Sequence, residues 1–416
     1  MELRSSHVLA ASAFLTLPLA LFVSKGLAPL LVATAVIAFA CSYRENPRRL
    51  RIANPLAAAI GALGAWAAIS AVWSIMPGRS LILTGQLAGT MLSGFFLLHT
   101  CSLLDGAGRR RVERGLLAGV GFGLALLAVE WTTGGFLTYL GRETVGDPIP
   151  PSVSFKLSLN SGLSVTAVLI WSVVLSIWKR GRGVLAAGVL LLAAGLLALG
   201  DAVTPEFALL IGTLAAVAVW LFGRAARGFL LLIVVAQVTL APLIPMLMPP
   251  LEIIVREAPG LSSSLFHRIL IWKGVSDLVA ERPVLGYGMD TARALGRKRE
   301  GSPVKDYKDK QGTVVWQGHA GDIPLHPHNA SLQVWLELGA VGAALGGTIL
   351  YMLFRLPARN RLPRREGTIC YGLLVTAFAI ASISYGVWQI WWLSALWLTG
   401  CWTSLVVREG VTGQGP

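Results

Sequence analysis

Residues 325–354 read LHPHNASLQVWLELGAVGAALGGTILYMLF and join a polar stretch to an apolar one. The run from Leu332 to Phe354 has Glu337 as its one charged residue, and it exceeds the roughly 20 apolar residues that cross a bilayer as a helix. Gly342-x-x-x-Gly346 predicts that this helix packs closely against another and so holds its outer end at a fixed depth. Two histidines and an asparagine stand directly before it. The sequence therefore predicts a membrane-spanning helix with titratable side chains at its N-terminus.

Similar apolar runs recur along the whole chain, of which 55% of residues are hydrophobic and only 13% are charged. Soluble domains average about 25% charged residues, so we expect an all-α polytopic membrane protein with about twelve transmembrane helices. The second run is short, and the first two could form a hairpin that does not fully cross. The runs are His7–Phe22, Leu27–Ala40, Pro55–Trp73, Leu81–Leu98, Gly115–Trp131, Gly162–Trp178, Gly183–Leu199, Phe207–Phe222, Gly228–Met248, Leu332–Phe354, Cys370–Val387 and Ile390–Val407.

The basic residues are distributed unevenly between the loops of this predicted bundle. If the N-terminus is cytoplasmic, the inner segments carry 20 of the 35 Lys and Arg residues, and the short outer loops carry four. The other 11 lie in one outer segment, from Pro249 to Ser331, which is long enough to escape the positive-inside rule. We therefore predict that both termini are cytoplasmic. The net charge of +14 is explained by this asymmetry and gives no reason to expect nucleic acid as a partner.

The chain accordingly divides into three parts. Residues 1–248 hold transmembrane helices one to nine, residues 249–331 form a large outer loop that binds substrate, and residues 332–416 hold transmembrane helices ten to twelve and a cytoplasmic tail. In the loop, SSSLFHRILIWKGVSDLVAERP (residues 262–283) has apolar residues at helical spacing after serines that can cap a helix. It predicts an amphipathic helix of about four turns at the membrane surface, ended by an Arg-Pro pair. Residues 293–322 are polar and lysine-rich, and we predict a solvated loop there.

Two features of the outer face indicate chemistry on an anionic substrate. Arg268 lies on the apolar stripe of the loop helix, one turn before Trp272; it either reaches lipid phosphate or binds a substrate anion, because a guanidinium offers a planar fork to phosphate oxygens. The tenth span begins near Pro327 or Asn329, and its outward N-terminus favours anions. His328 at this point can take a proton from a hydroxyl near pH 7. The combination predicts group transfer from a lipid phosphate donor.

Other interpretations stay open at this point. The histidines could only cap the helix and bind interfacial water. Alternatively, four side chains could supply ligands to a metal ion, although their spacing matches no strong zinc signature: His319, Asp322, His326 and His328. The chain could also be a flippase or exporter, but such a protein needs a polar path, and the interiors of the spans offer mainly Gln86, Gln237 and scattered Ser and Thr. We therefore favour an enzyme without a metal site.

Two stretches together resemble the O-antigen ligase and polymerase superfamily of bacterial envelope glycosyltransferases. They are HRILIWKGVSDLVAERPVLGYGMDTARALG (residues 267–296) and LHPHNASLQVWLELGAVG (residues 325–342). The first has an arginine before a tryptophan and then a Pro-x-x-Gly-x-Gly turn. The second has His328-Asn329, nine residues, Gly339, two residues and a further glycine. The twelve predicted spans agree with the family topology.

The resemblance implies a transfer of glycan from undecaprenyl diphosphate to an acceptor hydroxyl at the periplasmic face of the bacterial inner membrane, without metal, cofactor or nucleotide sugar. His328 would activate the acceptor and Arg268 would engage the diphosphate, while we expect Trp272, His326 and Asn329 to contact substrate. For a ligase the acceptor is a sugar of the lipid A core, and for a polymerase it is the end of another lipid-linked repeat. A ligase is the first expectation and a polymerase the alternative.

One part of the family pattern is missing. Many relatives carry a second arginine where the seventh and eighth spans meet on the outer side. This chain reads LGDAVTPEFALLIG there (residues 199–212), with no basic residue. A second contact to the diphosphate therefore cannot be carried over, and Lys156, Lys273 and Arg293 are the candidates to replace it.

Overall fold

The computed structural model describes residues 4–45, 54–147, 149–150, 153–258, 262–297, 304–319 and 325–408. These residues form α-helices, two short 3-10 turns and one β-hairpin. The helices are α1 (Ser5–Phe22), α2 (Leu27–Glu45), α3 (Pro55–Ile69), α4 (Pro77–Leu103), α5 (Gly106–Thr133), α6 (Phe136–Thr144), α7 (Lys156–Lys179), α8 (Gly183–Ala198), α9 (Val203–Phe222), α10 (Arg224–Leu240), α11 (Leu243–Leu247), α12 (Leu251–Glu257), α13 (Ser263–Glu281), α14 (Ala292–Arg297), α15 (Ala330–Arg359), α16 (Arg364–Ile383) and α17 (Ile390–Arg408). The strands β1 (Val304–Lys308) and β2 (Val314–His319) pair antiparallel.

A helix lies at each of the twelve predicted spans, and the all-α polytopic fold class is confirmed. Within the described residues, ten helical segments are long and apolar enough to cross a membrane. The other two are shorter: α8 has 16 residues, and α10 has 17, which is at the lower limit of about 17 residues for a crossing helix. The number of twelve crossings therefore stays a prediction.

Small residues bring the long helices together. Gly115 and Gly119 of α5 face the backbone of α1, where a Cβ would lie 2.4 Å from Ala10 O and 2.2 Å from Phe14 O respectively. Such close approach of two helix backbones is the usual way in which membrane helices gain packing energy. The main apolar core extends from this contact through α7, whose side chains are buried along most of its length.

The segment between α11 and α15 is more ordered than its sequence suggests. The predicted helix is present as α13, which starts after Ser262, whose side chain accepts from Leu265 N at 3.3 Å. Where residues 293–322 are described, α14 and the β-hairpin take the place of the predicted loop, although most described residues of the hairpin are exposed to solvent as predicted. Tyr307 of β1 is 2% exposed and its ring packs on Phe266 of α13. The fold is thus helical with one small sheet beside α13.

Helix α15, which follows the His328-Asn329 motif, is broken at Gly339, where φ is 64° and ψ is −163°. The turn at residues 283–288 enters this break, and Ala340 N donates to Pro283 O at 2.8 Å. A Cβ at position 339 would lie 2.2 Å from Val284 O, so both the backbone angles and the space require glycine. The turn and the break together fix the N-terminal part of α15 against the segment that follows α13.

The close helix packing predicted for Gly346 is wrong. A Cβ at position 346 would meet nothing within 4 Å, and the atoms nearest a Cβ at position 342 all belong to Leu338 of the same helix. The close backbone contact of α15 is made at Gly339 instead, with Val284 and Leu285.

Candidate functional site

The polar residues before α15 form a loop that is held on both sides. Asn329 caps the helix, since its Oδ1 accepts from Leu332 N at 3.0 Å. Pro327 O accepts from Trp272 Nε1 of α13 at 3.0 Å. Asn329 and Trp272 were predicted to contact substrate. In the structure, their polar side-chain atoms form the hydrogen bonds that hold the loop. The predicted helix start and asparagine cap are confirmed.

His328 sits between these two anchors in an unusual backbone conformation. Its φ of 53° lies in the left-handed region, which costs a non-glycine residue about 1 kcal/mol or more. Residues held in this conformation cluster at functional sites. Its Nδ1 lies 2.7 Å from Ser384 O, at the C-terminal end of α16. Because a carbonyl only accepts, Nδ1 carries the proton and the neutral ring keeps its lone pair on Nε2.

Several influences act on the protonation of His328. Partial burial lowers its pKa below the ordinary 6.5, the hydrogen bond to Ser384 raises it, and the positive charges of Arg268 and His267 lower it again. The net direction is downward, so the ring is neutral near pH 7. A neutral histidine with an available Nε2 is a suitable general base.

Arg268 binds to the same end of α16. Its Nε donates to Ile383 O at 3.2 Å, and its Nη1 donates to Ser264 Oγ at 2.5 Å. It makes no ion pair with a carboxylate of the described chain. Its partial burial lowers the pKa of the guanidinium, which still keeps its charge. Arg268 and His328 thus donate to the adjacent carbonyls of Ile383 and Ser384, so the structure brings them to the same place. The sequence predicted that both belong to one site.

His326 packs against His328, with ring centroids 4.4 Å apart in an edge-on arrangement. Its Nδ1 accepts from His328 N at 3.3 Å, which leaves an Nε2–H on the neutral ring. Burial lowers its pKa to about 4, and the charges of His328 and Arg293 contribute. His326 is therefore a neutral hydrogen-bond donor at physiological pH rather than a second base.

A buried network behind the histidines was not predicted. Glu337 of α15 accepts from Asp290 N at 2.7 Å, from Trp388 Nε1 at 2.7 Å and from Gln333 Nε2 at 3.2 Å. Gln333 Oε1 in turn accepts from Val387 N at 3.0 Å. This network ties the turn between α16 and α17, which supplies the Ser384 carbonyl, to α15. A lone acid in an apolar span was the only sequence signal for it.

The three cations considered as a second contact differ in their surroundings. Lys273 Nζ donates to Pro245 O at 3.0 Å and to Met248 O at 2.8 Å, so it caps the end of α11. Lys156 Nζ pairs with Asp201 Oδ1 at 3.3 Å, in the connection between α8 and α9. Arg293 Nε is buried and has no hydrogen-bond partner among the described residues. Within the described residues, Lys156 and Lys273 are thus engaged by partners, whereas the Nε of Arg293 is not.

The metal alternative is not tested. Asp322 and the side chain of His319 lie outside the described residues, and the remaining two ligands of the proposed set are His326 and His328. Elsewhere in the described chain no three His, Cys, Asp or Glu side chains group in a way that could hold a metal ion.

Comparison with known proteins agrees with the motifs. Residues 189–347, which include the loop arginine and the histidine pair, match a family model described as O-antigen ligase. A Rickettsia conorii protein provisionally named polysaccharide ligase is 25% identical over 348 residues, which cover 83% of this chain and 77% of the relative. Proteins of the same provisional name are 24% identical in Rickettsia felis (83% and 78% covered) and 27% identical in Rickettsia bellii (80% and 76%). The predicted resemblance is confirmed.

Proposed function

We propose, from the premise that this chain is a relative of the O-antigen ligases, that it transfers a glycan from undecaprenyl diphosphate to an acceptor hydroxyl. The family matches support glycan transfer in general, and the geometry of the histidine and arginine supports the finer chemistry. The acceptor that we propose is a sugar of the lipid A core. The reaction uses neither a metal ion nor another cofactor.

One observation carries the proposal: His328 Nδ1 donates to Ser384 O, which directs the Nε2 lone pair towards a substrate. The acceptor O–H gives its proton to Nε2 while its oxygen attacks the anomeric carbon of the donor. The lowered pKa of the ring keeps this base free of a proton at neutral pH. The backbone carbonyl then stabilises the imidazolium that forms.

Arg268 acts on the other side of the reaction. As the bond between the anomeric carbon and the diphosphate oxygen breaks, the bonding electrons pass to the leaving undecaprenyl diphosphate. A guanidinium near this oxygen lowers the energy of the developing charge, and such preorganised donors contribute about 3–4 kcal/mol in known enzymes. The absence of an ion-pair partner for Arg268 in the described chain leaves its charge available for this role.

The location follows from the charge asymmetry and the donor. We place the protein in the bacterial inner membrane with both termini in the cytoplasm, and residues 249–331 in the periplasm. The site then faces the leaflet in which the lipid-linked donor is presented, and α13 lies at the membrane surface.

The test is transfer by the purified protein in detergent, from an undecaprenyl diphosphate-linked glycan to a panel of acceptors, with and without chelator. His328→Ala should abolish transfer while the protein still inserts and elutes as wild type. His7→Ala on α1 is the control for loss of one histidine. Undiminished transfer by His328→Ala would overturn the proposal, and loss of transfer with chelator would reject the metal-free reaction.

The acceptor panel separates ligase from polymerase. A ligase glycosylates lipid A-core, whereas a polymerase extends a second lipid-linked repeat. The provisional names of the relatives favour the ligase. Transfer in detergent, where no membrane separates two compartments, would also exclude a function limited to export.

A further inference from the structure

Arginines collect at the end of α15 that lies away from the histidine pair. This helix starts after Asn329 and ends at Arg359, and its 30 residues are more than the roughly 20 that cross a bilayer. Residues 220–230, where α9 passes into α10, hold two arginines and no lysine, and residues 351–368, where α15 passes into α16, hold five and no lysine. We call these residues the arginine surface: Arg224, Arg227, Arg355, Arg359, Arg361, Arg364 and Arg365.

The two connections that carry the arginine surface pack against one another. Arg364, the first residue of α16, lies over the Trp220 ring of α9, 4.4 Å from its centroid, and donates to Trp220 O. Tyr371 Oη donates to Phe354 O at 2.8 Å, which joins α16 to α15. Ala226 of α10 belongs to the same apolar cluster as Phe354 and Tyr371. The arginines of the two connections therefore border one region of the molecule.

No carboxylate of the described chain pairs with the arginine surface. The one acid in the two stretches is Glu366, which is buried and lies 3.4 Å from Lys179 Nζ of α7. Arg227 Nε donates to Gly223 O at 3.2 Å, and Arg364 is held by an indole ring and a carbonyl. Both guanidinium groups are thus positioned by neutral partners, which leaves their charge available to an anion from outside the chain.

Exposed aromatic side chains lie next to these arginines in the sequence. Phe222 at the end of α9 is 68% exposed, and Phe229 in the second turn of α10 is 63% exposed. Arg355 lies over the half-exposed Tyr351 ring, 6.0 Å from its centroid. A membrane lipid with an anionic headgroup can contact the arginines while its acyl chains cover these rings. A nucleic acid would contact the arginines alone.

We infer that the arginine surface binds an anionic phospholipid, with its phosphodiester on Arg227 and Arg364 and its acyl chains along Phe222 and Phe229. A guanidinium offers parallel N–H donors to phosphate oxygens and keeps its charge beside the hydrocarbon. One lipid that contacts both connections holds α10 against α16, and because it binds only the folded protein it raises the stability of the fold. This inference does not depend on the proposed function, since α15 separates the two sites.

The test follows thermal unfolding of the purified full-length protein in a neutral detergent as phosphatidylglycerol or phosphatidylcholine with the same acyl chains is added. Phosphatidylglycerol alone has a net negative charge, so it should raise the Tm of the wild type at concentrations at least about 10-fold lower. Arg227→Gln combined with Arg364→Gln should weaken its apparent affinity roughly 10–100-fold, because hydrogen bonds to a charged group are lost. The corresponding double Lys variant keeps the charge without the planar fork and should lie between.

Arg110→Gln combined with Arg114→Gln is the matched control, since it removes the same charge from exposed residues at the start of α5, which we also place in the cytoplasm. It should change the affinity less than about 3-fold, as expected for exposed charges. Equal losses in the two double Gln variants would show attraction to net charge alone and overturn the inference. A wild type that does not distinguish the two lipids, or that is stabilised by an RNA oligonucleotide and not by phosphatidylglycerol, also overturns it. If the double Gln variant fails to fold, Arg227→Gln alone decides, with an expected loss of about 10-fold.

Discussion

Arg268 and His328 donate to consecutive backbone carbonyls, those of Ile383 and Ser384, at the C-terminal end of α16. The two side chains come from α13 and from the loop before α15, which are far apart in the sequence. A single peptide unit therefore sets the spacing between His328, the proposed proton acceptor, and Arg268, the group that we propose engages the diphosphate. Partial negative charge at a helix C-terminus also favours the cationic form of both groups.

The first prediction concerns the pH dependence of transfer. Only neutral His328 accepts a proton, so activity is present above its pKa and lost as pH falls through it. The pKa of His328 is lowered in part by Arg268. Arg268→Gln removes that charge, raises the pKa and should move the acid limb of kcat/KM to higher pH. The rate itself should fall about 100-fold because the leaving group loses a donor.

Arg256→Gln, an exposed arginine on α12, is the control and should keep the wild-type profile. The measurement is the rate of transfer from pH 5 to pH 8 for each variant. An acid limb that stays in place or moves to lower pH would show that Arg268 does not act on the histidine.

The second prediction contrasts two glycines of one helix. Gly339→Ala forces a side chain into a positive φ and against Val284 O, so we expect a loss of about 2–5 kcal/mol in the free energy of unfolding and a sharp loss of transfer. Gly346→Ala points into open space and should leave stability and activity near wild type. Thermal unfolding in detergent measures both.

If Gly346→Ala lost more stability and activity than Gly339→Ala, the helix-packing interpretation of Gly342 and Gly346 would be restored. Equal effects of the two alanines would mean that the turn at residues 283–288 does not depend on the break. Either result would require another explanation for the position of His328 relative to α13.

The third prediction isolates the hydrogen bond that holds the histidine loop. Trp272→Phe keeps most of the ring but removes the donor to Pro327 O. A net hydrogen bond is worth about 1 kcal/mol, so kcat should fall about 5-fold with little change in donor affinity. Trp335→Phe is the control, because it removes a similar bond to Val238 O away from the loop. Equal loss of kcat in both variants would indicate a general loss of stability.

Much of this arrangement could be predicted because its causes are local in sequence. The serines before α13 and Asn329 before α15 are cap residues, and helical spacing of apolar residues placed both helices. The Arg-Trp and His-Asn motifs identified side chains that the structure does bring to one place. Each of these signals is contained within a few residues of the position it predicts.

The missed features depend on contacts between distant segments. Ser384 contributes a backbone carbonyl, which any residue could supply, so no side chain marks it. The β-hairpin was not predicted, because its many lysines indicated a solvated loop. Asp309 and Gly312 are residues typical of a turn: Asp309 Oδ1 accepts from Thr313 N at 2.8 Å, and Gly312 has a φ of 83°. Gly346 fitted a packing motif. Which glycine of α15 another segment approaches depends on the path of that segment in the fold, and the sequence near α15 does not show this path.

The last prediction concerns Glu337, which links three parts of the site. Its carboxylate accepts from the backbone after the inserted turn, from Gln333 and from Trp388. Glu337→Gln keeps the shape but replaces one acceptor oxygen with a donor, so at least one of these N–H groups faces another N–H. The cost is about 1–3 kcal/mol, and the displaced α16–α17 turn moves the Ser384 carbonyl. We expect a lower Tm and a fall in kcat that exceeds the change in donor affinity. The control is Glu281→Gln, at an exposed residue whose carboxylate accepts from Tyr287 Oη at 2.5 Å, and it should do neither. If Glu337→Gln lowers Tm but leaves kcat unchanged, the network supports the fold alone and does not position the histidine.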